Sequence, residues 1–344
     1  MIRPGETTLR LMLDPIASFL SDPATTEVVV NRPGEAGVER RGQWTWLELP
    51  ELTYARLNAI ATLCAAMSQQ DVGPDRPLCA SVLPDGQRVQ ICRPPAVAAG
   101  TISLTIRKPP SVAPSLRALS KGGVFSGTNI ASTATHQSDA ELVVLHSACD
   151  WDGFLSLAVR ARKTIIVTGD TGSGKTTVAR ALLQEIPLHE RLVTIEDTAE
   201  FGKLLHRNVV SLFYSKGDQG VARVKSESLM EASLRMRPNR VLMGELRDGA
   251  AFTFLRNVAA GHPGSITTCH SRSGAESFDA IRLMVKNHED GKHLADADVR
   301  EFLAQRIDVI VHCKRLDDDS RIISEVLFNP SANSGRSTLA LAAE

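Results

Sequence analysis

The sequence has few aromatic residues and no excess of charge of either sign. Phe, Trp and Tyr make up 4% of its 344 residues, and 39 Lys and Arg residues balance 39 Asp and Glu residues. Proteins that coat nucleic acid usually carry a basic excess, and proteins that track single strands stack bases on aromatic side chains. The composition therefore argues against a nucleic-acid coat protein and weakens the case for a DNA translocase or helicase. We expect no sequence-specific nucleic-acid binding.

Paired cysteines and long apolar runs are also missing. The six cysteines are scattered and form no C-x-x-C pair, so we expect neither a zinc site nor a disulfide framework, and most of them should be small buried side chains. The longest apolar stretch, around residues 59–67, is far shorter than the ~18 residues that suggest a membrane span. The N-terminal segment MIRPGETTLR has no apolar core of a signal peptide. These features favour a cytoplasmic protein.

The first part of the chain mixes helix and strand patterns. An apolar stripe predicts a helix that ends at Asp22-Pro23, and residues 53–69 predict a second, amphipathic helix. The predicted strands are TEVVVN, GQWTWLEL, two short strands around the turn Pro84-Asp85-Gly86, and TISLTIRK. We therefore predict a smaller α+β domain over residues 1–111.

A change of composition separates this part from the rest. Residues 117–140 are rich in Gly, Ser and Thr and show no periodicity, which is typical of a linker. We assign 112–148 to the linker, long enough for the first domain to sit on its own second domain or on a neighbour's. From residue 149 to 344 strand and helix patterns alternate, which predicts an α/β domain with a mostly parallel sheet. Within it, Ser228 and Glu231 have the spacing of a helix capping box.

The segment GDTGSGKTT matches the phosphate-loop pattern G-x-x-x-x-G-K-[ST], between a buried strand and a helix. Glycines leave backbone N–H groups free to face phosphate oxygens, and the helix N-terminus adds partial positive charge. Lys175 should reach the β- and γ-phosphates, and the Thr176 hydroxyl should hold Mg²⁺. We therefore predict an ATP and Mg²⁺ site whose nucleotide-binding residues are Gly169, Thr171, Gly172, Ser173, Gly174, Lys175, Thr176 and Thr177.

Carboxylates follow the next two strands of this domain. TIEDTAE places Glu196, Asp197 and Glu200 at a strand end, where a carboxylate can orient or deprotonate the attacking water; a merely polar strand end is an equally good reading of this stretch. The strand RVLMGE ends in Glu245, where the corresponding P-loop motif has an Asp on the metal side, so Glu245 should serve Mg²⁺.

Histidines and arginines are harder to assign from spacing. A lone histidine is more often structural than catalytic, but His262 and His270 flank a predicted strand. At the ligand edge of the sheet they would be placed to sense the γ-phosphate or to relay to a neighbouring subunit. A phosphoryl-transfer site often needs an arginine to stabilise developing charge. Nothing in the spacing selects one, and for any single arginine surface solvation is the better interpretation; the candidates are Arg88, Arg107, Arg207, Arg235, Arg237 and Arg240.

Taken in order, four segments resemble the secretion ATPase superfamily: GDTGSGKTT, TIEDTAE, LRMRPNRVLMGELRD and GHPGSITTCHS. They correspond to its Walker A, Asp box, Walker B and His box. In the first domain, VVVNRPGEAGVER, QQDVGPDRPLCASVLPDGQRVQICRPPA and GTISLTIRKP resemble the virulence-type branch, the traffic ATPase of bacterial type IV secretion. The resemblance covers nearly the whole chain except about 112–148.

The resemblance implies a RecA-like P-loop domain, a hexameric ring, and nucleotide bound between the N- and C-terminal domains. It makes Arg88 and Arg107 candidates for contact with the nucleotide's phosphates. Glu196 becomes the candidate water-activating base and Glu245 the Mg²⁺-side residue, although family members differ on which glutamate is the base. His270 joins the catalytic candidates as part of the His box.

The resemblance also implies a setting. The ring would lie peripherally at the cytoplasmic face of the inner membrane, with other type IV secretion ATPases and inner-membrane components. There it would power pilus assembly and transfer of DNA, effector protein or both. Two alternatives remain at this stage: a pilus extension or retraction motor of the same superfamily, and a nucleotide-gated assembly scaffold that barely hydrolyses ATP.

Overall fold

A computed structural model describes residues 4–109, 115–128, 137–215, 222, 224–247, 250–259 and 261–330. The chain divides into two compact units. The first comprises residues 1–72, 79–92 and 101–136, and the second comprises residues 73–78, 93–100 and 137–344. Within the described ranges, no helix combines the length and the apolar character needed to cross a membrane.

The first unit is built on a six-stranded sheet with the strand order β3-β2-β1-β6-β5-β4. Strand β1 lies between β2 and β6 and pairs antiparallel with both. The strands are β1 (Thr25–Val30), β2 (Glu35–Arg40), β3 (Gln43–Glu48), β4 (Leu78–Val82), β5 (Arg88–Cys92) and β6 (Ser103–Arg107). The helices are α1 (Glu6–Ser21), α2 (Tyr54–Met67) and α3 (Leu116–Lys121). The predicted helices and strands before residue 111 are therefore present.

Strand β2 was not predicted, because its segment EAGVER follows turn residues and contains a glycine. In the sheet, Gly37 lies beneath neighbouring side chains. A Cβ added to it would meet Trp46 Cη2 and Val29 Cγ2, each at 3.0 Å. The glycine is thus compatible with the strand because two larger side chains from β1 and β3 occupy its side-chain space.

The second unit carries two groups of strands. One has the order β10-β8-β9, all parallel; the other has the order β11-β7-β12-β13, in which β13 alone runs antiparallel. The strands are β7 (Ile165–Gly169), β8 (Leu192–Glu196), β9 (Val209–Phe213), β10 (Arg240–Met243), β11 (Ile266–Cys269), β12 (Val309–Arg315) and β13 (Arg321–Phe328). The helices are α4 (Gln137–Ser147), α5 (Trp151–Arg160), α6 (Lys175–Gln184), α7 (Ser226–Leu234), α8 (Ala250–Ala259), α9 (Glu276–Lys286) and α10 (Asp296–Arg306).

The two strand groups meet where β10 and β11 end. The Leu246 N–H donates to the Thr268 carbonyl at 2.7 Å, and the Thr268 hydroxyl donates to the Gly244 carbonyl at 2.9 Å. The carboxyl ends of β10 and β11 are thereby joined, and β7 lies directly beside β11. The predicted α/β class is confirmed, and the segments that follow these strands emerge at one edge.

The segment predicted as a linker contains two helices, α3 and α4. Residues 110–114 and 129–136 of this region lie outside the described residues. Helix α4 packs into the second unit, because Leu142 is fully buried in its core and Asp139 lies 2.6 Å from Lys163 Nζ. Leu145 packs against the same core, and His146 Nε2 lies 2.9 Å from the Val326 carbonyl oxygen.

The predicted capping box is wrong. Helix α7 begins at Ser226, with Lys225 at the N-cap position and no side-chain capping bond. Ser228 therefore lies inside the first turn, where its hydroxyl is not the cap. Five of the six cysteines are buried, as predicted, and Cys149 is exposed.

Candidate nucleotide-binding site

The phosphate-loop motif spans the turn from β7 to α6. Strand β7 ends at Gly169 and helix α6 begins at Lys175. Gly169, Gly172 and Gly174 have φ angles of 142°, 79° and 95°, which side chains disfavour. A Cβ at Gly169 would lie 2.1 Å from the Cys313 carbonyl oxygen. The glycines are thus required by the backbone of the loop and by its close approach to β12.

Lys175 is directed back onto the loop that precedes it. Its Nζ donates to the carbonyls of Gly169 and Asp170, each at 2.8 Å, and lies 3.4 Å from His270 Nδ1. The residue is 8% exposed. Burial lowers the pKa of Lys175, and the negative charge of Glu245 opposes that shift. The ammonium is thus held over the loop, where phosphates of a bound nucleotide would interact with it.

The loop also has donors that fit an anion. Helix α6 starts after Gly174 without a side-chain cap, so its first N–H groups are available to a ligand. Ser173 is buried, and its hydroxyl has no hydrogen-bond partner within the described residues. A buried hydroxyl of this kind is stabilised by a ligand oxygen. Thr171, Gly172 and Thr177 are exposed at the loop, and Thr176 is half-buried at the start of the helix.

Glu245 follows β10 and lies at the centre of a series of polar and charged side chains that contact one another. Its Oε1 is buried and lies 2.8 Å from His270 Nε2, without the alignment of a hydrogen bond. Its Oε2 pairs with Arg247 Nη2, and Arg247 Nη1 lies 3.9 Å from Asp197 Oδ2. Since His270 also approaches Lys175, residues that follow β7, β8, β10 and β11 are connected at one edge of the unit. Three sequence-predicted residues, Lys175, Glu245 and His270, are thereby brought together.

Glu196 ends strand β8 beside Glu245's strand and is 2% exposed. Its Oε1 accepts from the Thr194 hydroxyl at 2.6 Å, and its Oε2 accepts from the Phe201 N–H at 2.9 Å. Gly244, the residue before Glu245, lies beside the Glu196 side chain. A Cβ added to this glycine would be 3.4 Å from Glu196 Cγ, which is an ordinary contact distance. The carboxylate is therefore held in one orientation at the end of β8.

Arg247 was missed by the sequence reasoning, because an arginine after a strand has no distinguishing spacing. Its hydrogen bond to Glu245 raises the pKa of Arg247, burial opposes that shift, and the charges of Glu245 and Asp197 add to it. The pKa values of two neighbouring acidic groups are raised as well. Burial, then Glu245 and Asp197, raises the pKa of Glu200, and burial, then Asp197, raises the pKa of Tyr214 to about 12.

The interpretation of His262 as a residue of the ligand edge is wrong. Strand β11 runs parallel to β7, with Ile266 opposite Ile165 and Cys269 opposite Thr168. His262 precedes this strand and His270 follows it, so the two histidines emerge at opposite edges of the sheet. His262 is half-buried, and burial lowers its pKa, whereas a hydrogen bond to the backbone of Pro238 opposes that shift.

The arginines of the sequence prediction have different places. Arg240 is fully buried, so surface solvation is wrong for it: Nε and Nη2 bond to Glu190 at 2.8 and 3.1 Å. Burial would raise the pKa of Glu190, but the Arg240 bonds and charge more than offset this and lower it. Arg88 and Arg107 lie in the first unit, where they are exposed and directly opposite each other on β5 and β6.

Comparisons with known proteins identify the family of the chain. The family "Type II/IV secretion system protein" matches residues 132–340. The chain is 41% identical over 329 residues to the type IV secretion system protein VirB11 of Bartonella henselae, covering 92% of each chain. It is 44% identical over 313 residues to the protein VirB11 of Rhizobium radiobacter, covering 90% of this chain and 91% of that protein.

A solved structure is similar as well. It is the crystal structure of the VirB11 ATPase from the Brucella suis type IV secretion system in complex with sulphate, with 40% identity and a TM-score of 0.89. The similarity covers 96% of this chain and 100% of that one. A phosphate loop with an oriented lysine, the carboxylates beside it and these similarities lead to one assignment: the chain belongs to the VirB11 family of ATPases, within the type II/IV secretion system proteins.

Proposed function

We propose that this chain is an ATP-hydrolysing hexameric motor of a type IV secretion system, which powers pilus assembly and the transfer of DNA, effector protein or both. The observation that carries the proposal is the convergence of Lys175, His270 and Glu245 beside the phosphate loop. These groups supply the cation, the polar sensor and the carboxylate that nucleotide hydrolysis requires. The family membership supports the same activity.

Within this site, the residues have separate roles toward ATP. The Ser173 hydroxyl and the loop N–H groups other than that of Ser173 bind phosphate oxygens, and Lys175 exchanges its carbonyl partners for the β- and γ-phosphates. The Thr176 hydroxyl and Glu245 hold Mg²⁺, whose charge neutralises the phosphates when it is bound. Glu245 fits this role because its Oε1 is buried, lacks a hydrogen bond and is therefore available as an acceptor.

Glu196 serves as the base that orients and deprotonates the attacking water. Thr194 and the Phe201 N–H each occupy one lone pair of its carboxylate, which fixes the group while other lone pairs stay available. A general base must be positioned first and tuned second, and this pair of bonds supplies the positioning. His270 lies between Lys175 and Glu245, and in this position it senses the γ-phosphate.

Arg88 and Arg107 remain candidates for contact with the nucleotide's phosphates, on the ground of the sequence resemblance. Arg107 lies directly opposite Arg88 on β5 and directly opposite Glu27 on β1. The carboxylate of Glu27 offsets part of the repulsion between the two arginines, and an anion bound to them would offset the rest.

Arg107→Ala should therefore raise the apparent KM for ATP about tenfold, because one charge-assisted contact with a phosphate is lost. ATPase rates over a range of ATP concentrations measure it. Arg117→Ala, at an exposed arginine on α3 of the same unit, is the control and should leave the KM unchanged. An unchanged KM for Arg107→Ala would return this residue to the role of a solvated surface charge.

The remaining setting is part of the proposal and rests on the sequence resemblance. The active form is a homo-hexamer, located peripherally at the cytoplasmic face of the inner membrane. Other type IV secretion ATPases and inner-membrane components are its partners, and Mg²⁺ with ATP is its substrate complex.

The proposal is tested by measuring ATP hydrolysis per subunit against protein concentration. We expect the specific rate to rise as monomers give way to rings, because sites completed by a neighbour need assembly. A concentration-independent rate, together with a monomer mass at the lowest concentration, would contradict the hexameric motor. A rate no higher than that of Lys175→Ala would favour the nucleotide-gated scaffold.

A further inference from the structure

The hairpin formed by β12 and β13 lies directly against the phosphate loop. Strand β12 pairs with β7 so that Cys313 is opposite Gly169, the first residue of the loop. The chain then turns, and β13 returns antiparallel with Arg321 opposite Arg315. The hairpin therefore brings two arginines close to the phosphate loop, although the phosphate-loop motif assigns no role to an arginine.

Arg321 is bonded to the loop backbone. Its Nε donates to the Gly172 carbonyl at 2.9 Å. Its aliphatic stem packs on the loop as well, because a Cβ at Gly174 would lie 3.1 Å from Arg321 Cδ. The side chain is exposed, and it forms no ion pair with any residue that the structure describes. Its position is thus set by the loop.

The bond acts on one particular peptide plane. The Gly172 carbonyl and the Ser173 N–H belong to the same planar peptide unit and point in opposite directions. The Ser173 N–H donates to the Asp170 carbonyl at 3.2 Å. Arg321 and Asp170 therefore hold the two sides of a peptide that follows a glycine at φ 79°, where the backbone would otherwise rotate most freely.

We propose that Arg321 is a positioning residue of the nucleotide site, which holds the 172–173 peptide so that the phosphate loop is preorganised for a nucleoside triphosphate. Preorganisation lowers the entropy lost when the ligand binds. The inference rests on the proposed function in that the ligand is ATP, but the preorganisation exists in the free chain. It predicts that loss of Arg321 weakens binding more than it slows the chemical step.

Arg315 provides the matched control. It carries the same charge on the same hairpin, but its Nε and Nη2 donate to Asp319 Oδ1 at 3.0 and 2.6 Å. Arg315→Ala therefore removes one positive charge near the loop and no hydrogen bond to its backbone. The difference between the Arg321 and Arg315 variants reports the bond rather than the charge.

Arg321→Gln separates the bond from the charge in a second way. The amide nitrogen of Gln stands as many bonds from the backbone as the Nε of Arg, so the variant keeps a donor for the Gly172 carbonyl and loses the charge. A bond-based role predicts that Arg321→Gln behaves almost as the unmodified chain, whereas Arg321→Ala does not. A charge-based role predicts that the two variants are equally impaired.

The first measurement is hydrogen–deuterium exchange of the full chain without nucleotide. The backbone amides of residues 170–175 should exchange about tenfold faster in Arg321→Ala, because the loss of a hydrogen bond of about 1.4 kcal/mol lowers their protection tenfold. Arg315→Ala and Arg321→Gln should exchange as the unmodified chain does. Equal exchange in all four proteins would overturn the inference.

The second measurement is equilibrium binding of a fluorescent ATP analogue, with the steady-state ATPase rate beside it. We expect the Kd to rise about tenfold in Arg321→Ala, with kcat at saturating ATP unchanged, and a smaller rise in Arg315→Ala. A lower kcat with an unchanged Kd would overturn the positioning role. If the unmodified chain binds the analogue but does not hydrolyse ATP, the proposed motor function fails while the exchange result still decides the role of Arg321.

Discussion

Replacement of Lys175 by Ala should abolish ATP hydrolysis, with a loss of at least ~10²-fold, and should leave the fold intact. The ammonium is the one cation placed over the phosphate loop by two carbonyl bonds, and no other described side chain donates to these carbonyls. Loss of a preorganised group that stabilises transition-state charge costs on the order of 10²–10³ in rate. Release of ADP and phosphate from ATP, measured per subunit, tests this expectation.

The fold should survive because the Lys175 side chain bonds to two loop carbonyls and approaches His270, and it is not part of the hydrophobic core of the unit. Thermal unfolding and ring mass of Lys175→Ala should therefore resemble those of the unmodified chain. Lys203→Ala, at an exposed lysine of the same unit, is the matched control and should keep its activity. Hydrolysis at the normal rate in Lys175→Ala would contradict the assignment of this loop as the nucleotide site.

The substitution Glu196→Gln should permit nucleotide binding and block turnover by about 10²–10⁴-fold, the usual contribution of a general base. The amide is close in shape to the carboxylate: its oxygen still accepts from the Phe201 N–H, and its NH₂ group donates to the Thr194 hydroxyl. The local structure is therefore retained, and only the proton acceptor is lost. Binding of a fluorescent ATP analogue and single-turnover hydrolysis measure the two properties separately.

Glu245→Gln is the comparison that distinguishes the two glutamates. If Glu245 serves the metal side, this variant should need a higher Mg²⁺ concentration for nucleotide binding and hydrolysis, whereas Glu196→Gln should not. The amide also loses the ion pair with Arg247, so Arg247→Ala in the same Mg²⁺ titration shows how much of the effect comes from that pair. Normal turnover by Glu196→Gln would reassign the base, and turnover by neither variant at saturating Mg²⁺ would mean that both carboxylates take part in the chemical step.

Most of the elements that position the site were predictable from sequence, because their signals are local. The phosphate loop requires glycines at particular backbone angles, a lysine and a hydroxyl within nine residues, and each requirement is visible as a residue type at a fixed offset. The alternation of strand and helix after residue 149 is equally local, since it follows from apolar runs and their lengths. The carboxylates at the ends of β8 and β10 were found because parallel strands end at a common edge.

The remaining features depend on where distant segments meet. The sequence spacing predicted that the two histidines lie at the same edge of the sheet. In the structure they lie at opposite ends of strand β11, which separates them. Segment 137–147 was assigned to the linker, but Leu142, the Asp139–Lys163 ion pair and the contact of His146 with Val326 fix it to distant parts of the second unit. Strand β2 was hidden by a glycine whose space is occupied by side chains from neighbouring strands.

By itself, therefore, the sequence determined that this protein has a phosphate loop in an α/β unit, and that carboxylates follow the neighbouring strands. Only the tertiary structure decided which charged groups share that edge. In the structure Arg247 pairs with Glu245 and Arg321 bonds to the loop, whereas His262 lies at the opposite edge and Arg240 is buried. The physical reason is that the partner of an arginine depends on strand order and register, which bring together residues far apart in the chain. The conformation of a glycine turn depends only on the backbone angles of its own residues.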